Sequence, residues 1–93
     1  MSAEGLSIKY ILSAEKVLNS LTRVQAPVTV DAECVEKLIS YTTAYFEDAK
    51  YYKDKKKFET SLTSIAYCEG LLDALRLIGA VRFEWPKNTK IEK

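Results

Sequence analysis

The chain has 93 residues, which predicts a single domain with one core and leaves no room for a second. Apolar side chains make up 47% of it and charged ones 29%, a balance that excludes a disordered polypeptide. Fourteen basic against thirteen acidic residues leave a net charge of +1, so no overall field selects nucleic acid or a membrane surface.

The first segment carries Tyr10, Ala14, Val17, Leu21 and Val24 at alternating four- and three-residue steps, with Ile11 and Leu18 beside them. That spacing predicts an amphipathic helix over about residues 3–24. Pro27 lacks an amide hydrogen and biases Ala26 toward extended geometry, which puts the first connection at residues 25–30. Asp31 is suited to cap a second helix over residues 31–53, and Glu33 and Glu36 complement its positive end. Its stripe is the most regular in the chain: Val35, Leu38, Thr42, Tyr45, Ala49 and Tyr52, flanked by Ile39 and Phe46. The polar run Lys53–Lys57 follows, and then Phe58, Ser61, Ile65, Cys68, Leu72 and Leu75 resume the alternation, widened by Leu62, Leu71 and Ile78. A third helix is expected over residues 57–79, closed by Gly79 in the left-handed conformation.

Beyond it, Val81, Phe83 and Trp85 alternate with Arg82 and Glu84, the period of an extended strip over residues 81–85 that Pro86 ends. The strip is expected to fold back over the helices rather than to anchor a partner. Residues 87–93 offer little to bury and are expected to be a mobile tail. The fold class that follows is all-α: an antiparallel up-down-up three-helix bundle over residues 1–86 with a short extended C-terminal segment. Residues 45–75 resemble one tetratricopeptide-like hairpin, but a lone copy lacks the stacked neighbours such a repeat needs.

Little in the chain suggests catalysis. There is no histidine, which removes the commonest general base, the commonest metal ligand and every Ser-His or Cys-His pair. Neither common glycine-rich phosphate loop occurs. Glu69 and Asp73 stand four apart on the third helix, as a metal site or an acid-base pair would need, but with Arg76 nearby they read as a surface ion-pair cluster. Cys34 and Cys68 form no CxxC pair and sit in apolar helical stretches, which suggests reduced, buried thiols. No catalytic residue, cofactor, metal or small-molecule substrate is therefore expected. With no basic start leading into an apolar run, and no apolar run long enough to span a bilayer, the expected location is the cytoplasm.

The features left over point to binding. Lys50, Lys53, Lys55, Lys56 and Lys57, interleaved with Tyr51 and Tyr52, have the composition of a phosphate- and base-contacting patch, although Glu47, Asp48 and Asp54 offset most of the charge. Tyr41, Tyr51 and Tyr67 fall outside the apolar alternations, and amphipathic rings at a surface favour protein contacts. The candidate partner-binding residues are Tyr51, Lys53, Lys55, Lys56, Lys57, Phe83 and Trp85.

Asp48 to Tyr52, then Phe58, then Ile65 to Ala74 resemble an archaeal family of small helical proteins catalogued as domain of unknown function 357. The likeness covers about residues 10 to 80. Tyr67, Gly70, Leu71, Leu72, Asp73 and Ala74 match its Tyr-Ala-x-Gly-Leu-Leu-Asp-Ala ending, with Cys68 in place of the alanine. Where that family tends to have Gly-Asp in the second turn, this chain has Lys56 and Lys57, which removes a capping carboxylate. Within the group, the size and helical plan look like a small accessory subunit of an archaeal B-family DNA polymerase holoenzyme. That resemblance implies a noncatalytic polypeptide that docks on the polymerase catalytic subunit and supports assembly or stability in DNA replication, meeting nucleic acid mainly indirectly. The alternative is a small nucleic-acid-binding protein using Lys50 to Lys57. Helical RNases of toxin systems are excluded, since their Arg-x4-His motif cannot be formed.

Overall fold

The computed structural model describes residues 2–87; the tail expected beyond Lys87 lies outside them. Three helices account for the regular structure: α1 (Ala3–Ser20), α2 (Ala32–Asp54) and α3 (Phe58–Leu77), with no strand among the described residues. The fold is all-α, as the periodicity predicts.

α2 and α3 form an antiparallel hairpin, and their inner faces are the two stripes read from the sequence. Ala49 (5% exposed), Thr42, Cys68 and Leu75 (1%) are buried, and Val35, Leu38, Tyr45, Tyr52, Ile65 and Leu72 are half-buried around them. A small residue at position 49 lets the helices approach closely. There the Ser61 hydroxyl donates 2.7 Å to the Ala49 carbonyl, a bond between the helices. Thr42 satisfies its own buried hydroxyl by donating 2.8 Å to the Leu38 carbonyl one turn back. Tyr45 and Tyr67 stack across the pair with ring centroids 4.4 Å apart.

The helix ends follow local chemistry. Ser2 caps α1 by accepting from the Gly5 amide at 3.0 Å, and Asp31 caps α2 by accepting from the Cys34 amide at 2.8 Å. α3 closes as expected at Gly79, whose φ is 80°. The Gly79 amide donates to the Arg76 carbonyl and the Ala80 amide to the Leu75 carbonyl, the paired bonds of a Schellman closure. α2 closes in the same way, but the left-handed residue is Lys56, with φ 61°. Its amide donates to the Lys53 carbonyl, and the Lys57 amide to that of Tyr52. Lys57 then serves as the N-cap of α3 and supplies no side-chain bond.

α1 departs from expectation in two respects. It stops at Ser20 rather than Val24, because Leu21 turns extended (ψ 149°) and the Ser20 hydroxyl donates back to the Lys16 carbonyl at 2.8 Å. The β-branched Thr22 and Val24, approaching Pro27, do little to carry the helix on. Its stripe is also uncovered. No Cα of α1 lies within 8 Å of a Cα in α2 or α3, and none of its residues is buried. The N-terminal halves of α1 and α3 face one another across an open groove lined by Leu6, Tyr10, Leu62 and Thr63, which keeps the up-down-up order without closing the third side.

Candidate protein-docking surfaces

The residues singled out as a binding site are not gathered in one place. Tyr51, Lys53, Lys55, Lys56 and Lys57 sit at the α2–α3 turn, whereas Phe83 and Trp85 follow the opposite end of α3. Sixteen residues of helix between Lys57 and Asp73, the side chain that Trp85 reaches, span about 24 Å.

At the turn, most of the cations have partners of their own. Lys50 pairs with Glu47 at 3.2 Å and lies 4.9 Å from the centre of the Phe46 ring; Lys53 pairs with Asp54 at 3.3 Å. Lys55 lies 5.6 Å from the Tyr51 ring centre, and Tyr51 meets Tyr52 edge-on at 5.2 Å. Lys56 and Lys57 border a shallow recess with Phe58, Glu59 and Thr60. Carboxylates thus offset the charge of Lys50 and Lys53, two of the five lysines of the cluster.

The strip from Val81 to Trp85 folds back on α3, as expected. The Trp85 indole N–H donates 2.8 Å to an oxygen of Asp73, which also pairs with Arg76 at 3.4 Å. The Arg76 guanidinium lies 5.3 Å from the Phe83 ring centre, and Phe83 meets Trp85 edge-on at 5.1 Å. Asp73 thus takes part in the surface ion pair with Arg76 that the spacing suggested, and holds Trp85 through the same oxygen. Among the described residues no group of three or more Cys, Asp or Glu side chains is placed to hold a metal ion.

The cysteines differ from the expectation that both are buried. Cys68 is, and burial chiefly, with the neighbouring Glu69 charge adding to it, pushes its thiol above the usual range. Cys34 is exposed in the first turn of α2, because only one face of that turn meets α3.

The largest candidate surface is the one taken for core in the sequence. Tyr10, Ile11, Val17 and Leu18 on α1, with Leu21 at its cap, are all more than half exposed, Leu18 at 70%. With Leu6 they form a continuous apolar face on one side of the helix. A contiguous apolar face left open to water is the kind of surface on which interaction sites are built. The sequence did carry the signal, since the α1 stripe is as apolar as those of α2 and α3. What it lacked was any sign that the other two helices would satisfy each other first.

No helix among the described residues is long and apolar enough to cross a membrane. The profile of the family described as protein of unknown function (DUF357) matches residues 9–81. No curated protein and no solved structure matches the chain.

Proposed function

The chain belongs to the DUF357 family, and from that premise we propose that it is a noncatalytic module acting by docking on other polypeptides, with a place as a small accessory subunit of a B-family DNA polymerase holoenzyme. The observation that carries the docking reading is the uncovered apolar face of α1, Leu6 to Leu21, beside a hairpin whose buried residues, Thr42, Ala49, Cys68 and Leu75, are covered without it. A helix with such a face gains by burying it, at about 25 cal/mol for each Å² of apolar surface removed from water. The polymerase assignment draws on the size and three-helix plan of the family resemblance, and a cytoplasmic location belongs to the same reading. Nucleic acid is then met through the partner, since Lys50 and Lys53 are already paired with Glu47 and Asp54.

Copurification of the tagged chain from its own cells tests the proposal. Recovery of a DNA polymerase catalytic subunit, lost on Leu18→Glu, supports it. Recovery of the chain without any polymerase subunit under gentle conditions overturns the polymerase assignment. Tight, salt-sensitive binding of labelled DNA by the isolated chain, lost when Lys55, Lys56 and Lys57 are changed to Gln, would favour direct nucleic-acid recognition instead.

A further inference from the structure

Two uncovered surfaces of this chain have matching chemistry. One is the apolar face of α1, opposite which stand Glu15 and Lys16 together with the exposed Ile8 and Leu12. The other is the side of α3 turned away from α2, where Leu62 (68% exposed) and Leu77 (80%) bracket the exposed Ala66, Gly70 and Ala74. A Cβ placed on Gly70 meets nothing within 4 Å. Small residues at four-residue spacing between two leucines make a trough that accepts the side-chain ridge of another helix. At 1.5 Å per residue α1 is about 27 Å long, enough to fill it.

Within one chain α1 faces only the start of the trough, across the open groove between Leu6, Tyr10 and Leu62, and the connection that follows is long enough for another destination. Residues 21–31 separate Ser20 from Ala32, eleven in all, where bundle helices are commonly joined by about two to eight. The segment is extended at both ends, with ψ 149° at Leu21 and 172° at Asp31. Among the described residues no backbone hydrogen bond ties residues 22–30 to a helix. It also leaves Val24, Val28 and Val30 exposed. Fully extended, such a segment reaches about 36 Å, far enough to carry α1 to a neighbouring molecule.

The surface areas agree. The accessible surface is 8499 Å², whereas a compact monomer of this mass exposes about 5,400 Å². The excess, about 3,000 Å², is well above the roughly 800 Å² that each partner buries in a stable interface. We infer that α1 of one copy lies in the α3 trough of a second copy, and reciprocally, so that a two-fold dimer completes two three-helix bundles. A second copy brings stripe and trough together, and a net charge of +1 puts little repulsion between them. The inference rests on the docking reading in using the same α1 face, and it gives that face to a second copy, so that a further partner would meet the dimer at the Lys53–Lys57 turn or the Phe83–Trp85 strip.

Light scattering on the purified chain tests it first. The mass expected is twice the 10.5 kDa of one chain, falling to one on Leu18→Glu or Tyr10→Glu while the helical circular dichroism of the hairpin is retained. Lys16→Glu, on the polar side of α1, leaves the dimer in place. A single-chain mass for the unaltered protein at every concentration overturns the inference, and so does a dimer that survives both α1 substitutions. In dimers mixed from isotope-labelled and unlabelled chains, magnetisation transfer between Tyr10 and Leu62 is expected between chains; transfer only within a chain overturns the exchange. A monomer that captures polymerase through α1 removes the dimer and leaves the docking reading standing, whereas a dimer that captures no polymerase confirms the dimer and removes the assignment.

Discussion

Lys56 and Lys57 concentrate the local cost of the hairpin. The two Schellman closures are a matched pair: at the end of α3 the left-handed position holds Gly79, and at the end of α2 it holds Lys56. A side chain with a Cβ pays about 1 kcal/mol there that glycine does not. Lys57 follows as an N-cap without a capping bond, and its positive charge opposes the adjacent helix dipole. Lys56→Gly combined with Lys57→Asp is therefore expected to stabilise the hairpin by about 1–2 kcal/mol, read as a rise of several degrees in Tm. An unchanged or lower Tm would show that the lysines have stabilising contacts of their own. These are the two positions at which the family resemblance has Gly-Asp, so the departure weakens any role carried over from the family to this turn.

The cysteines supply a second test at this scale. Cys34 is expected to react with a thiol reagent in the folded chain, and Cys68 only on unfolding. Equal reaction rates would place Cys68 outside the core. Because the folded Cys68 thiol titrates above its unfolded value of 9.0, unfolded chains release this proton first as the pH rises. Its contribution to stability is thus fully present below about pH 9 and is lost above it.

Among the elements, α2 and α3 were legible in detail because each stripe has its complement within the chain: Val35 to Tyr52 on one helix, Ser61 to Leu75 on the other. Ala49 is where they come closest, and Ala49→Asp puts an unpaired carboxylate against Ser61 and the α3 backbone. It is expected to cost about 3 kcal/mol or more and to abolish cooperative melting. A melt unchanged by Ala49→Asp would refute the hairpin core. α1 was legible as a helix but not in its surroundings, since periodicity reports which face is apolar and nothing about what covers it. The alternation of Val81, Phe83 and Trp85 was legible too, yet it forms no strand, because no second strand stands among the described residues to pair with it. It is held instead by a bond that spacing cannot reveal, from the Trp85 indole to Asp73. The candidate site was the least legible feature: the lysine-tyrosine turn and the Phe83–Trp85 strip lie at opposite ends of α3, and the larger apolar surface had been counted as core.

For the whole molecule, the dimensions agree with a structure that is finished only in part. The radius of gyration is 16.0 Å, against about 12 Å for a compact domain of this length. A closed hairpin next to an uncovered helix implies that stability is unevenly distributed, with α1 at the low end until something covers it. Amide hydrogen exchange followed residue by residue at several protein concentrations tests this most directly. Protection at Thr42, Ala49, Cys68 and Leu75 is expected to be high and to vary little with concentration. At Tyr10, Val17 and Leu18 it is expected to be low in dilute solution and to rise as the chain associates. Strong, concentration-independent protection along α1 would contradict the account, because it would mean that α1 is already covered within a single chain.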